Sequence, residues 1–110
     1  MKRMARFSFL LPFRFNDGID IPVELFQEVQ TTLANKFNGV TYQRNPQYPI
    51  KGLWLSPGDK RVIPDDLMLY YVWTEAINEA REYFTQYKKA LMEKFQQQEL
   101  PIIEETIEVI

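Results

Sequence analysis

The sequence contains no cysteine and no histidine. Without histidine it lacks the one side chain whose unperturbed pKa lies between about 5 and 8. Without cysteine it lacks the most nucleophilic side chain at neutral pH, and it has neither a disulfide framework nor a thiolate metal site. Acid–base chemistry is left to carboxylates, lysines, arginines and tyrosines, with Ser8 and Ser56 as the two serines, and no paired constellation among them identifies a reaction. No apolar run approaches the ~18 residues of a membrane span. Positive charge is not in excess either. Thirteen Lys and Arg against fifteen Asp and Glu leave a net charge of −2, which argues against a general nucleic-acid binder. Lys2 and Arg3 before the run Phe7 to Leu11 imitate a secretion signal, but Pro12 and Arg14 interrupt it and no small-residue cleavage site follows. A cytoplasmic location is expected, with no membrane contact.

What is there fits one soluble domain. The chain has 110 residues, 45% of them apolar and 25% charged, enough to bury a core without staples. Residues 7 to 15 alternate, with Phe7, Phe9, Leu11, Phe13 and Phe15 on one face, as a half-buried strand does. Asn16-Asp17-Gly18 reads as a turn, and Pro22 suits the first position of a helix. Phe26, Val29, Leu33 and Phe37 then recur at helical spacing up to a left-handed stop at Asn38-Gly39.

Val40 to Tyr42 begins a second strand, which Pro46 and Pro49 break, and Gly52 to Leu55 resumes extended character. Ser56 to Lys60 is a turn, and Leu67 to Thr74 is a strand with aromatic and apolar residues on both faces. A helix is expected from about Glu75 to Gln98, with Thr74 as N-cap, acidic residues at its start and lysines toward its end. Pro101 closes it, and Ile102 to Ile110 reads as a last strand with Ile103, Ile107 and Val109 inward. This βαββαβ order predicts an α+β, ferredoxin-like plait. Both helices lie on one face of a four-stranded antiparallel sheet, with the first and third strands central.

Candidate functional residues follow from the face that such a sheet leaves open. If the odd residues of both central strands face the helices, Leu10, Met68, Tyr70 and Val72 form an exposed apolar patch, with Arg6 and Arg14 beside it. A patch of this kind on central strands points to a homodimer packed sheet to sheet, a non-catalytic interaction or regulatory module. The alternative is a small-molecule binder or enzyme of the dimeric α/β-barrel type, with those six residues lining a pocket between two sheets. On the last strand, Glu104 and Glu108 are expected opposite Arg6 or Arg14. Alternation sends Glu105 toward the helices, where it is a misfit.

Other chemistry has simpler explanations. Asp17 with Asp20, and Asp65 with Asp66, match no calcium-loop spacing and are explained by turns and caps, so no metal and no cofactor is expected. Trp54, with Tyr42 and Tyr48 nearby, suits core packing better than the rim of a pocket. The strand–helix order is shared with the RNA-recognition motif. Yet only Tyr70 would stand as a stacking aromatic, and the acidic last strand argues against RNA.

The stretch Arg81 to Leu91, then Lys94-Phe95-Gln96-Gln97-Gln98-Glu99 and the isoleucine-rich close, resembles small bacterial proteins of no assigned function. Phe15-Asn16-Asp17-Gly18 followed by Ile21-Pro22 is similar to their opening. The resemblance spans much of the chain, implies a stand-alone bacterial domain and transfers no site residues.

Overall fold

The structure is a computed structural model that describes residues 1–44, 50–55 and 62–110, with the side chains of 50–55 and 62–65 outside the description. Its elements are β1 (Lys2–Pro12), α1 (Val23–Phe37), β2 (Thr41–Gln43), β3 (Ile50–Leu55), β4 (Val62–Thr74), α2 (Ile77–Lys94) and β5 (Ile103–Val109). The chain is an α+β fold of two helices and one antiparallel sheet. β1 and β4 are central and pair with each other, β5 flanks β1, and β2 and β3 both pair with β4.

The outer edge beside β4 is thus one column in two pieces. Gln43 pairs with Leu69 and Ile50 with Leu67. Pro46 and Pro49, which break the alternation in the sequence, lie outside the described residues. β1 begins at Lys2, earlier than the alternation from Phe7 indicates, so the residues that imitate a secretion signal are strand. Its pairing with β4 ends at Pro12, which cannot donate to the ladder; beyond it the Phe13 N–H still donates to the Asp66 carbonyl at 3.2 Å.

α1 exists because Phe26, Val29 and Leu33 fall on one stripe, which the sheet buries. Pro22 is its N-cap and not its first helical residue. Asn38, at φ 59°, is the left-handed stop read from the sequence. α2 begins at Ile77 after an Ala76 cap, two residues later than expected. Thr74 holds the turn that precedes it, its hydroxyl accepting from the Ala76 N–H at 3.1 Å. Ala80, Phe84 and Leu91 are its buried stripe, and Phe95 closes the core beyond its end.

Both helices pack on the same side of the sheet. Phe84 of α2 stacks on Phe7 at 5.0 Å and on Phe37 of α1 at 5.3 Å, while Phe26 of α1 stacks on Phe13 and meets Phe95 edge to face. Burying a ring of this size stabilises the fold by roughly 2–3 kcal/mol, with about 1 kcal/mol more for each well-placed ring pair.

The register corrects the expected faces of the third strand. Residues directly opposite in an antiparallel pair share a face. Phe7 is opposite Val72, Phe9 opposite Tyr70 and Leu11 opposite Met68. Met68, Tyr70 and Val72 are therefore core residues beneath the helices, and Leu67, Leu69, Tyr71 and Trp73 take the other face. Tyr70 is wholly buried. The run from Leu67 to Trp73 is apolar at every position, so its period carries no preference for either face, and a one-residue slip exchanges them all.

The last strand is corrected in the same way. Phe7 is opposite Glu104, whereas Arg6 is opposite Glu105 and Ser8 opposite Ile103. Ile103, Ile107 and Val109 lie away from the helices, and Ile103 is 55% exposed. Glu104 is the carboxylate on the helix side.

Candidate interaction face

The helix-free face of the sheet is built from the even residues of β1 and the odd residues of β4 and β5. Leu10 is 39% exposed and Trp73 is 42% exposed, and with Ile103 they surround Arg6 and Ser8. Tyr71, Leu69 and Ile107 are half-buried around them. Of the six residues singled out from the sequence, Leu10 and Arg6 lie here. Met68, Tyr70 and Val72 lie in the core, and Arg14 stands beyond the end of β1. Leu69, Tyr71, Trp73 and Ile103 belong to this face and were missed. The signal that assigns them is the parity of the pairing, which the sequence does not carry.

An ion pair runs from the central strand β1 to the edge strand β5. Arg6 Nη2 donates to Glu105 Oε1 at 2.6 Å across the β1–β5 pair, and the guanidinium lies 5.5 Å from the centre of the Tyr71 ring. Arg6 Nε is shut off from solvent and has no acceptor among the described residues. Glu105 is thus no misfit, since its strand position sends it to the open face and to the arginine opposite. On the helix side Arg81 holds Glu104 with two bonds, Nε to Oε1 at 2.5 Å and Nη2 to Oε2 at 2.7 Å, and this partner keeps the Glu104 carboxyl below its usual pKa. Arg3 takes Glu108 at 3.2 Å.

Arg14 lies at a separate cavity of about 360 Å³ past the end of β1, lined by Phe13, Asp20, Phe26, Arg44 and Asp66 among others. Arg14 Nε donates to Asp20 Oδ1 at 3.1 Å, and the Arg44 guanidinium covers the Phe13 ring at 3.7 Å. Asp17 Oδ1 accepts from the Ile19 N–H two residues on, which is the turn role expected of it. Among the described residues the charged groups lining the cavity are two arginines, Arg14 and Arg44, and two aspartates, Asp20 and Asp66. Tyr48 and the side chains of Trp54 and Asp65 lie outside the described residues.

Tyrosines gather on the helix side. The Tyr70 hydroxyl points at the Phe26 carbonyl at 3.5 Å. Burial pushes its pKa up to about 12, partly offset by the Gln30 side chain. A groove of about 460 Å³ between the helices is lined by Lys36, Glu79, Tyr83 and Tyr87, and burial raises both tyrosine hydroxyls above their ordinary value. Lys36 pairs with Glu79 there at 3.2 Å, which ties α1 to α2 across the groove. Among the described residues no helix is long and apolar enough to cross a membrane.

No family model matches the chain, and no curated protein matches it. The functional reading therefore rests on the geometry of these faces.

Proposed function

We propose that the chain is a single ferredoxin-like domain of the cytoplasm that acts by binding and not by catalysis, its open sheet face meeting the same face of a second copy. The observation that supports this most is the grouping of Leu10, Trp73 and Ile103 on one uncovered face around the central strands. Scattered apolar residues are ordinary on a protein surface, but a contiguous group of this kind marks an interface. The order with β1 and β4 central and β5 at one edge is consistent with the plait.

Size and charge favour a second copy as the occupant. At about 3.3 Å per residue and 4.8 Å between strands, the face measures roughly 600 Å². Two copies bury about 1,200 Å², at the lower end of stable specific interfaces. Beside its apolar residues the face carries the Arg6 cation and the Glu105 anion together, on β1 and the edge strand β5, so no net charge there opposes a second copy.

Light scattering over a wide concentration range tests this reading. The wild-type protein is expected to hold twice the chain mass, and Trp73→Glu to fall to the chain mass with unchanged helical circular dichroism. A wild-type monomer at all concentrations overturns the proposal, and so does a Trp73→Glu variant that remains dimeric.

A further inference from the structure

We infer that the groove between α1 and α2 binds a small organic cation, its alkylammonium head held against the Tyr83 and Tyr87 rings beside the Glu79 and Glu82 carboxylates, in the place that the Lys36 ammonium now takes. The groove lies on the helix side of the sheet, so the inference stands apart from the dimer proposed above. Its origin is a second stripe on α2. Glu79, Glu82, Tyr83, Gln86 and Tyr87 recur at i, i+3, i+4, i+7 and i+8, beside the stripe Ala80, Phe84 and Leu91 that the core buries. A solvated helix face ordinarily carries charge and amide alone. This one sets two half-buried aromatic rings among its carboxylates.

Shape and charge agree on the class of ligand. The Tyr83 and Tyr87 ring centres stand 5.4 Å apart with their planes at 34°, so together they make one bent aromatic wall. Edge-to-face contacts with Phe37 and Phe84 hold Tyr83 in place. The groove measures about 460 Å³, within the roughly 300–1,000 Å³ usual for small-molecule sites. Its charged lining is two carboxylates and one ammonium, which leaves one negative charge in excess. Glu79 is shared with Lys36, whereas Glu82 pairs with no cation among the described residues.

A cation already marks the site. Lys36 Nζ stands 5.3 Å from the centre of the Tyr83 ring and 3.2 Å from Glu79 Oε1, so one ammonium meets a ring face and a carboxylate together. That is the arrangement by which aromatic side chains and an acid hold an alkylammonium ligand. Lys36 is a weak occupant. Its ion pair is exposed on both sides and screened by solvent, and its primary ammonium is a compact, strongly hydrated charge. A trimethylammonium group sheds water more readily and lays its methyl groups on the rings. Calcium and magnesium take oxygen ligands, which ring faces do not offer, so the fit is to an organic cation and not to a metal ion.

Choline is the probe. Its control is dimethylbutanol, which has an uncharged tert-butyl group in place of the trimethylammonium. With the tyrosines labelled with ¹³C, choline is expected to shift the ring signals of Tyr83 and Tyr87 saturably, and dimethylbutanol at the same concentrations to leave them in place. Lys36→Gln vacates the site and is expected to tighten choline about fivefold, while Glu82→Gln is expected to weaken it about fivefold.

The absence of a saturable shift at these two rings in the wild-type protein overturns the site. Equal shifts from dimethylbutanol overturn the cation and leave only an apolar groove. Affinity that is unchanged or lower in Lys36→Gln overturns the exchange with Lys36. Glu82→Gln guards against a loosened helix pair in that variant, because Glu82 ties no element to another among the described residues. Unchanged affinity in Glu82→Gln, with the fold intact by circular dichroism, also overturns the proposal.

Discussion

The two faces of the sheet come from the same three strands and are both rich in large apolar residues, yet they solve different problems. The helix side sets Phe7, Phe9 and Leu11 beside Met68, Tyr70 and Val72, all nearly or wholly removed from water, and its charges stand only at the margin, where Arg81 holds Glu104. The open side sets Leu10, Tyr71 and Trp73 beside Ile103, leaves several of them in water, and carries the Arg6–Glu105 pair between β1 and the edge strand β5. A core tolerates no charge at its centre unless it is fully paired, because helix and sheet side chains offer it little else. Apolar content alone does not distinguish the two faces; the helices that cover one of them do.

Adjacent residues on opposite faces give the sharpest way to break this comparison. Tyr70→Glu places a carboxylate among Phe9, Phe26 and Tyr42 and is expected to cost more than ~4 kcal/mol, enough to unfold an ordinary domain of this size. Tyr71→Glu lies beside Arg6 on the open face and is expected to keep the fold, with a change of about 1 kcal/mol or less in the monomer. Urea unfolding followed by far-ultraviolet circular dichroism separates the two. Equal stability of these variants contradicts the assignment of faces.

A smaller effect, at the extremes of pH, belongs to the helix side alone. The folded-state pKa of Tyr70 is raised to about 12 from an ordinary value of 10.0. The unfolded chain therefore loses that proton first, and stability falls as pH rises from about 10 to about 12. Tyr83 and Tyr87, also raised, act in the same direction. Tyr70→Phe is expected to make this alkaline limb shallower. At the acid end the depressed pKa of Glu104 contributes stability above the ordinary carboxylate range, and this is lost as pH falls through the folded value. Glu104→Gln removes that small contribution. Thermal melts at pH 3 to 12 check both, and limbs unchanged in the two variants contradict the roles given to these groups.

The legible part of this fold is the part in which residue types alternate or recur. The stripe Phe26, Val29, Leu33 names a helix and its buried face, Asn38 names its end, and Phe7, Phe9, Leu11 against Arg6, Ser8 name a strand and its inner side. The α+β class and the central place of β1 and β4 follow from such signals, whereas the single second strand of the expected order is two, β2 and β3, and the sheet has five strands where four were expected. What was not legible is pairing parity. Leu67 to Trp73 has no polar position to mark a surface, and Glu104 and Glu105 offer the same side chain to both faces. Only the opposite strand decides, through Phe7 against Val72 and Arg6 against Glu105. That one-residue question moved Met68, Tyr70 and Val72 from the candidate site into the core, and brought Tyr71, Trp73 and Ile103 out of it.

The absence of cysteine makes the central claim directly testable, because a single introduced thiol is the only one in the chain. Ser8→Cys sits at the middle of the open face, and Glu93→Cys is an exposed control on α2. Under mild oxidation at equal concentration, Ser8→Cys is expected to form a disulfide-linked dimer rapidly and nearly completely, while the control links slowly. Linking of Ser8→Cys no faster than Glu93→Cys would contradict a face-to-face dimer of this sheet.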